Sequence, residues 1–212
     1  MNPTALITSL REMLGVTAGM DSPFFYAFLA VHLISLIVGM GAVILVDVVG
    51  FLWVLGRTSA RFLTSVAGIA QRVIWIGWSG LVCSGLGLIT LKGYVDSLTA
   101  IKLFLVLMVG VNGFALHFIK KHTARLTTFP DVPAAYKYHI VMAGVVSQVG
   151  WWGAISIGFL HRHWRHNIPW PENPDHVILG IAAGWLAIVL VGRLWLGRTL
   201  WQYDRDQESL QN

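Results

Sequence analysis

Charge is what this sequence has least of. Of its 212 residues only 12% are Asp, Glu, Lys or Arg, whereas 56% are hydrophobic, a balance that excludes a water-soluble domain of this length. The single cysteine, Cys83, excludes an intramolecular disulfide. No Cys-x-x-Cys, Cys-x-x-Cys-His, His-Glu-x-x-His or Gly-rich phosphate loop occurs, so redox dithiol, c-type haem, zinc-peptidase and nucleotide-binding readings lack their motifs. Acidic residues within the apolar runs are too few for a typical cation pump. Internal repeats and low-complexity tracts are also missing.

Long apolar stretches are abundant. Mean hydropathy is +0.67, and five stretches reach the roughly 20 residues needed to cross a hydrocarbon core about 30 Å thick. They lie near 23–56, 63–91, 99–119, 139–160 and 177–197. The expected fold is all-α: a polytopic membrane helical bundle with five transmembrane helices, forming one integral membrane domain over 1–212. The start, MNPTALITSLREMLGV, is broken by Arg11 and Glu12. It reads as a short N-terminal interfacial helix with Asn2 as N-cap and Pro3 at the first helical position, rather than as a cleaved signal.

A net charge of +5 would suggest nucleic acid in a soluble chain, but in a membrane chain it reports topology, and no nucleic-acid partner is expected. Arg57 and Arg61 follow the first span, Lys120, Lys121, Arg125 and Lys137 lie between the third and fourth, and Arg198 and Arg205 follow the fifth. By the positive-inside rule these ends are cytoplasmic, with the N-terminus outside and the C-terminus inside, in a cell inner membrane. Arg11, Lys92, Arg162 and Arg165 fall on the other side. Trp164 and Trp170 suit an interfacial aromatic belt. Most of the 22 glycines are expected to let helices approach closely.

Polar residues within the spans sort by depth, at about 1.5 Å per helical residue. An inner layer holds Asp47 and Arg72, nearly equidistant from the turn between the first two spans and therefore expected to pair as ions. Asn112 and Gln148 fall at comparable depth. The layer reads as a polar clamp fixing helix register or as a proton relay. An outer layer holds His32 and Lys102. His32 heads a stripe continuing through Ser35, Gly39, Val46 and Gly50, which suits a flat cofactor or a closely packed helix. Lys102 either snorkels outward or points inward. Together, His32 and Lys102 form a candidate ligand pair for haem iron, since iron accepts a neutral imidazole and a deprotonated amine.

The first span, FLAVHLISLIVGMGAVILVDVVGFLWVLGR, and the third, SLTAIKLFLVLMVGVNGFALHFIKKH, resemble those of the HemJ-type protoporphyrinogen oxidases and the related CopD-like copper-resistance membrane domains, over roughly 24–160. The resemblance implies b-type haem on His32 and Lys102 and membrane oxidoreduction or electron transfer. It also implies, as an alternative, CopD-like handling of copper. Val111 and Asn112 stand where the HemJ pattern tends to carry an aromatic–His pair after its lysine.

Other candidates follow from residue type. His117 and His139 share a depth on antiparallel spans and suit a second haem or a metal. His161, His163 and His166, with His176 nearby, offer imidazoles to copper or zinc. The interleaved Arg162 and Arg165 repel cations and suit haem propionates, or simply lipid headgroups. A redox partner or quinone, a homo-oligomer, and a role as a non-catalytic partner subunit complete the expectations.

Overall fold

The computed structural model describes Ser9 and residues 22–123, 134–163 and 173–211, with side chains over 22–114, 137–159, 173–191 and at 194. Five helices follow one another: α1 (Pro23–Val54), α2 (Ala60–Lys92), α3 (Ser97–Thr123), α4 (Ala134–His163) and α5 (Pro174–Gln211). Each is long and apolar enough to cross a membrane, and no strand occurs among the described residues. The chain is a multi-pass helical membrane bundle. Of the expected N-terminal interfacial helix only Ser9 is described, and it is helical.

Local chemistry sets the boundaries. Ser22 caps α1 by accepting from the Phe25 N–H at 3.3 Å, with Pro23 at the first helical position, where its missing N–H costs nothing. Gly56, at φ 70°, ends the overshoot of α1, and the Arg57 N–H returns to the Leu52 carbonyl at 2.8 Å. Ser59 then caps α2 through the Phe62 N–H at 3.2 Å. At the far end Gly93, at φ 81°, closes α2 in the left-handed conformation. α2 to α5 overrun the apolar stretches read from sequence, most of all α5, because backbone hydrogen bonding continues past the point where hydrophobicity stops, whereas α1 stops two residues short of its stretch, at the Gly56 turn.

Asp96 organises the α2–α3 corner. Its carboxylate accepts from the Thr99 N–H at 2.9 Å and pairs with Lys92 Nζ at 2.9 Å. The Lys92 ammonium also sits 4.3 Å from the centre of the Tyr94 ring. Burial pushes the Asp96 carboxyl up, but the Thr99 hydroxyl and amide and the Lys92 ammonium outweigh it and hold the group well below the usual carboxylate range.

The bundle is two tight hairpins, α1–α2 and α3–α4, with α5 laid against the second. The hairpins close on small residues. A Cβ at Gly77 would lie 2.6 Å from the Gly39 Cα, so α1 and α2 touch backbone to backbone there. In the other hairpin Gly150 and Gly153 of α4 receive Val109 and Leu105 of α3. Between the hairpins the spacers are tryptophans. Trp151 of α4 abuts Gly39 of α1, while Trp78 and Trp75 of α2 abut Gly110 and Gly113 of α3. Trp78 also donates its Nε1–H to the Val106 carbonyl at 2.8 Å. Met40, Val43, Leu81, Val109 and Trp151 make the central core. Ile101, Leu105, Met108 and Val146 form a second cluster, against which Val177, Ile178, Ile181 and Trp185 of α5 pack.

Candidate functional site

Two polar sites lie within the spans, one toward each end of the bundle. Toward the Asp96 corner, His32 on α1 faces α2, where the Gly85 position brings no side chain against the imidazole. Its Nδ1 lies 3.0 Å from Ser84 Oγ. Ser84 is the most buried side chain described, 1% exposed, and its hydroxyl donates to the Gly80 carbonyl one turn back at 2.5 Å. A hydroxyl has one proton to give. When that proton goes to the Gly80 carbonyl, the shorter of its two backbone contacts (the Leu81 carbonyl lies at 3.3 Å), Ser84 accepts from His32, and the tautomer with hydrogen on Nδ1 and a lone pair on Nε2 is the one that fits.

Lys102 on α3 is half-buried. It acts electrostatically on His32, and Asp96 and Lys92 act in turn on it. Among the described residues Lys102 has no hydrogen-bond or ion-pair partner. The structure therefore gathers His32, Ser84, Lys102, Asp96 and Lys92 toward one end. Ser84 was missed in the sequence, although its place in the Gly80–Gly85 segment, one helix face with Gly77 and Leu81, is a small-residue pattern that marks a helix contact.

The second site lies toward the Arg57 turn. Asp47 accepts a hydrogen bond from the Gln148 Nε2–H, and Gln148 Oε1 accepts from the Trp152 Nε1–H at 2.7 Å. Asn112 is buried and donates its Nδ2–H to the Ala143 carbonyl at 2.7 Å. The expected Asp47–Arg72 ion pair does not form. Equal depth does not set direction around a helix. Successive residues are about 100° apart, so Gln71 turns into the bundle and Arg72 turns out of it. Arg72 also adjoins the charge-free stretch 73–91, about 28 Å long at 1.5 Å per residue. It thus stands at the hydrocarbon boundary, where a long cationic side chain reaches headgroups.

Beside this site is a cavity of about 360 Å³, walled by all of the first four helices. Trp53, Trp75, Trp78 and Trp151 line it, with Asp47, Asn112, Thr64 and Ser147 as polar groups. Neither His32 nor Lys102 lines it. Along the stripe below His32, Gly39 packs against α2 and Trp151, while Gly50 meets nothing within 4 Å and, with Val46, lines the cavity.

The remaining sequence candidates are placed as follows. His139 is exposed, with its ring edge-on to Tyr138 at 6.0 Å between centroids. The side chains of His117, His161, Arg162 and His163 lie outside those described, as do Arg165 and His166 altogether. Among the described residues no three His, Cys, Asp or Glu side chains converge as a metal site. Neither a family model, nor a curated protein, nor a solved structure matches the chain.

Proposed function

We propose that this membrane protein binds haem b and serves oxidoreduction or electron transfer, with His32 as an axial ligand and Lys102 as the second. One observation carries the reading: His32 Nδ1 lies 3.0 Å from Ser84 Oγ, which is also 2.5 Å from the Gly80 carbonyl, an arrangement that favours the tautomer with Nε2 unprotonated, the form that binds iron. The donor set fits a haem better than a bare metal ion, because a porphyrin supplies the equatorial ligands and asks the protein for only one or two axial ones. Haem b, when bound, supplies reversible one-electron transfer.

Ser84 fixes the ring orientation of His32, as a hydrogen-bonding partner behind a ligating imidazole does. Lys102, on a neighbouring hairpin and unpartnered among the described residues, offers its amine from α3 when deprotonated. Arg162 and Arg165, whose side chains lie outside those described, would be the residues to pair with the haem propionates. The setting is a cell inner membrane with the N-terminus outside and the Arg57 turn cytoplasmic, and the redox partner is a membrane protein or a quinone. A copper-handling role would rest on His32, the His161–His166 segment and Met40. The test is haem content: protein purified from haem-replete cells should carry extractable b-type haem in fixed stoichiometry. Copper without haem would support the alternative instead.

A further inference from the structure

The cavity beside Asp47 is not explained by haem binding, since none of its lining residues is a histidine, cysteine, methionine or lysine. It falls in the size range of small-molecule sites, roughly 300–1,000 Å³, and straddles the hydrocarbon boundary at which Arg72 stands, its α2 wall running from Ala60 to Trp78, so it suits an occupant with a polar ring at the interface and an apolar tail in the bilayer. Its walls are tryptophan faces, the surface that suits a flat ring. Two features show that it is more than loose packing. Trp151 is 3% exposed, and its indole Nε1–H has no hydrogen-bond partner among the described residues, a buried donor that a ligand oxygen would satisfy. One turn toward the Arg57 end, Gln148 grips one oxygen of the Asp47 carboxylate, and Asp47 is itself part of the lining.

We propose that this cavity binds a hydroquinone-class molecule, a flat ring with hydroxyl groups across from one another and an apolar tail. One hydroxyl oxygen accepts from the Trp151 Nε1–H, and the other hydroxyl donates to Asp47. Asp47 and Trp151 both line the cavity, and on α4 Gln148, which holds Asp47, lies about one helical turn before Trp151. The carboxylate selects the reduced form, because a quinone carbonyl would present lone pairs to an acceptor. The site is independent of the haem reading, since His32 and Lys102 take no part in it.

The cavity can be filled without disturbing the fold. A Cβ added at Gly144 meets nothing within 4 Å, and Gly144 lines the cavity. Calorimetric titration of the purified full-length protein in detergent, with a short-chain benzoquinol kept reduced and then with its quinone, is the experiment. The quinol should bind saturably at one per chain and more tightly than the quinone. Gly144→Leu should abolish binding while keeping the wild-type melting curve, Trp151→Phe should weaken it about five- to tenfold, and Asp47→Asn should narrow the quinol preference. Lack of saturable binding, full binding by a folded Gly144→Leu protein, or displacement of the quinol by a plain fatty acid would overturn the proposal. Each outcome can be read whether or not the protein carries haem.

Discussion

Ser84→Ala removes one oxygen atom and tests the arrangement around His32. In the wild type that oxygen lies 3.0 Å from His32 Nδ1 and donates to the Gly80 carbonyl at 2.5 Å. The Gly80 bond is local to α2 and its loss is nearly neutral, since that carbonyl keeps its place in the helix. The His32 bond crosses between helices. Hydrogen bonds between membrane helices average about 0.6 kcal/mol and reach about 1.7, but stranding one partner in a buried site costs about 1–3 kcal/mol. Because Ser84 is fully enclosed while His32 is half-buried, the expected loss lies between these limits, about 1–1.5 kcal/mol. Unfolding in mixed micelles measures it. Nitrogen chemical shifts of ¹⁵N-labelled His32 then report the tautomer directly: Nδ1–H in the wild type, and a mixture in Ser84→Ala. An Nε2–H tautomer in the wild type would refute the reasoning, as would a Ser84→Ala protein with unchanged stability and an unchanged imidazole spectrum.

Three further outcomes follow from the packing and the corner. Gly77→Ala, whose added Cβ would lie 2.6 Å from the Gly39 backbone, should force α1 from α2 and cost about 1–3 kcal/mol in the same unfolding assay, whereas Gly41→Ala, with nothing nearby, should not. Gln148→Leu leaves both Asp47 and the Trp152 N–H without their partner and should cost about 1–3 kcal/mol, while Arg72→Gln, which breaks no ion pair among the described residues, should change stability little. Asp96→Ala, which removes the cap of α3, should cost about 0.5–2 kcal/mol. Because the folded Asp96 carboxyl titrates below its ordinary value of 3.8, its stabilisation is present above about pH 4 and is lost as pH falls below that. The melting temperatures of wild type and Asp96→Ala should therefore converge on acidification and stay apart at neutral pH.

The five helices were legible because span length and hydropathy are properties of a one-dimensional string. Caps such as Pro23 after Ser22, and Ser59 before α2, are local too. Direction around the helix axis was not legible. Depth alone placed Arg72 opposite Asp47, yet Gln148 occupies that position, 101 residues from Asp47 in sequence. Lys92 counted only as one of the charges on the outer side, and its pairing with Asp96 across the Gly93 turn comes from the structure. Ser84 looked like one more small residue, and nothing local says that its proton goes to Gly80 and its lone pair to His32. The cavity was invisible for the same reason: its walls come from four helices and exist only where Trp53, Trp75, Trp78 and Trp151 prop the hairpins apart.

The central claim is that His32 presents a free Nε2 to haem iron. The visible absorption spectrum of the purified protein, reconstituted with haem b and compared with His32→Ala and Lys102→Ala, tests it most directly. The account predicts a Soret band with sharpened α and β bands on reduction, abolished or strongly shifted in His32→Ala and shifted in Lys102→Ala. A colourless wild-type protein after reconstitution, or a spectrum unchanged by His32→Ala, would contradict it.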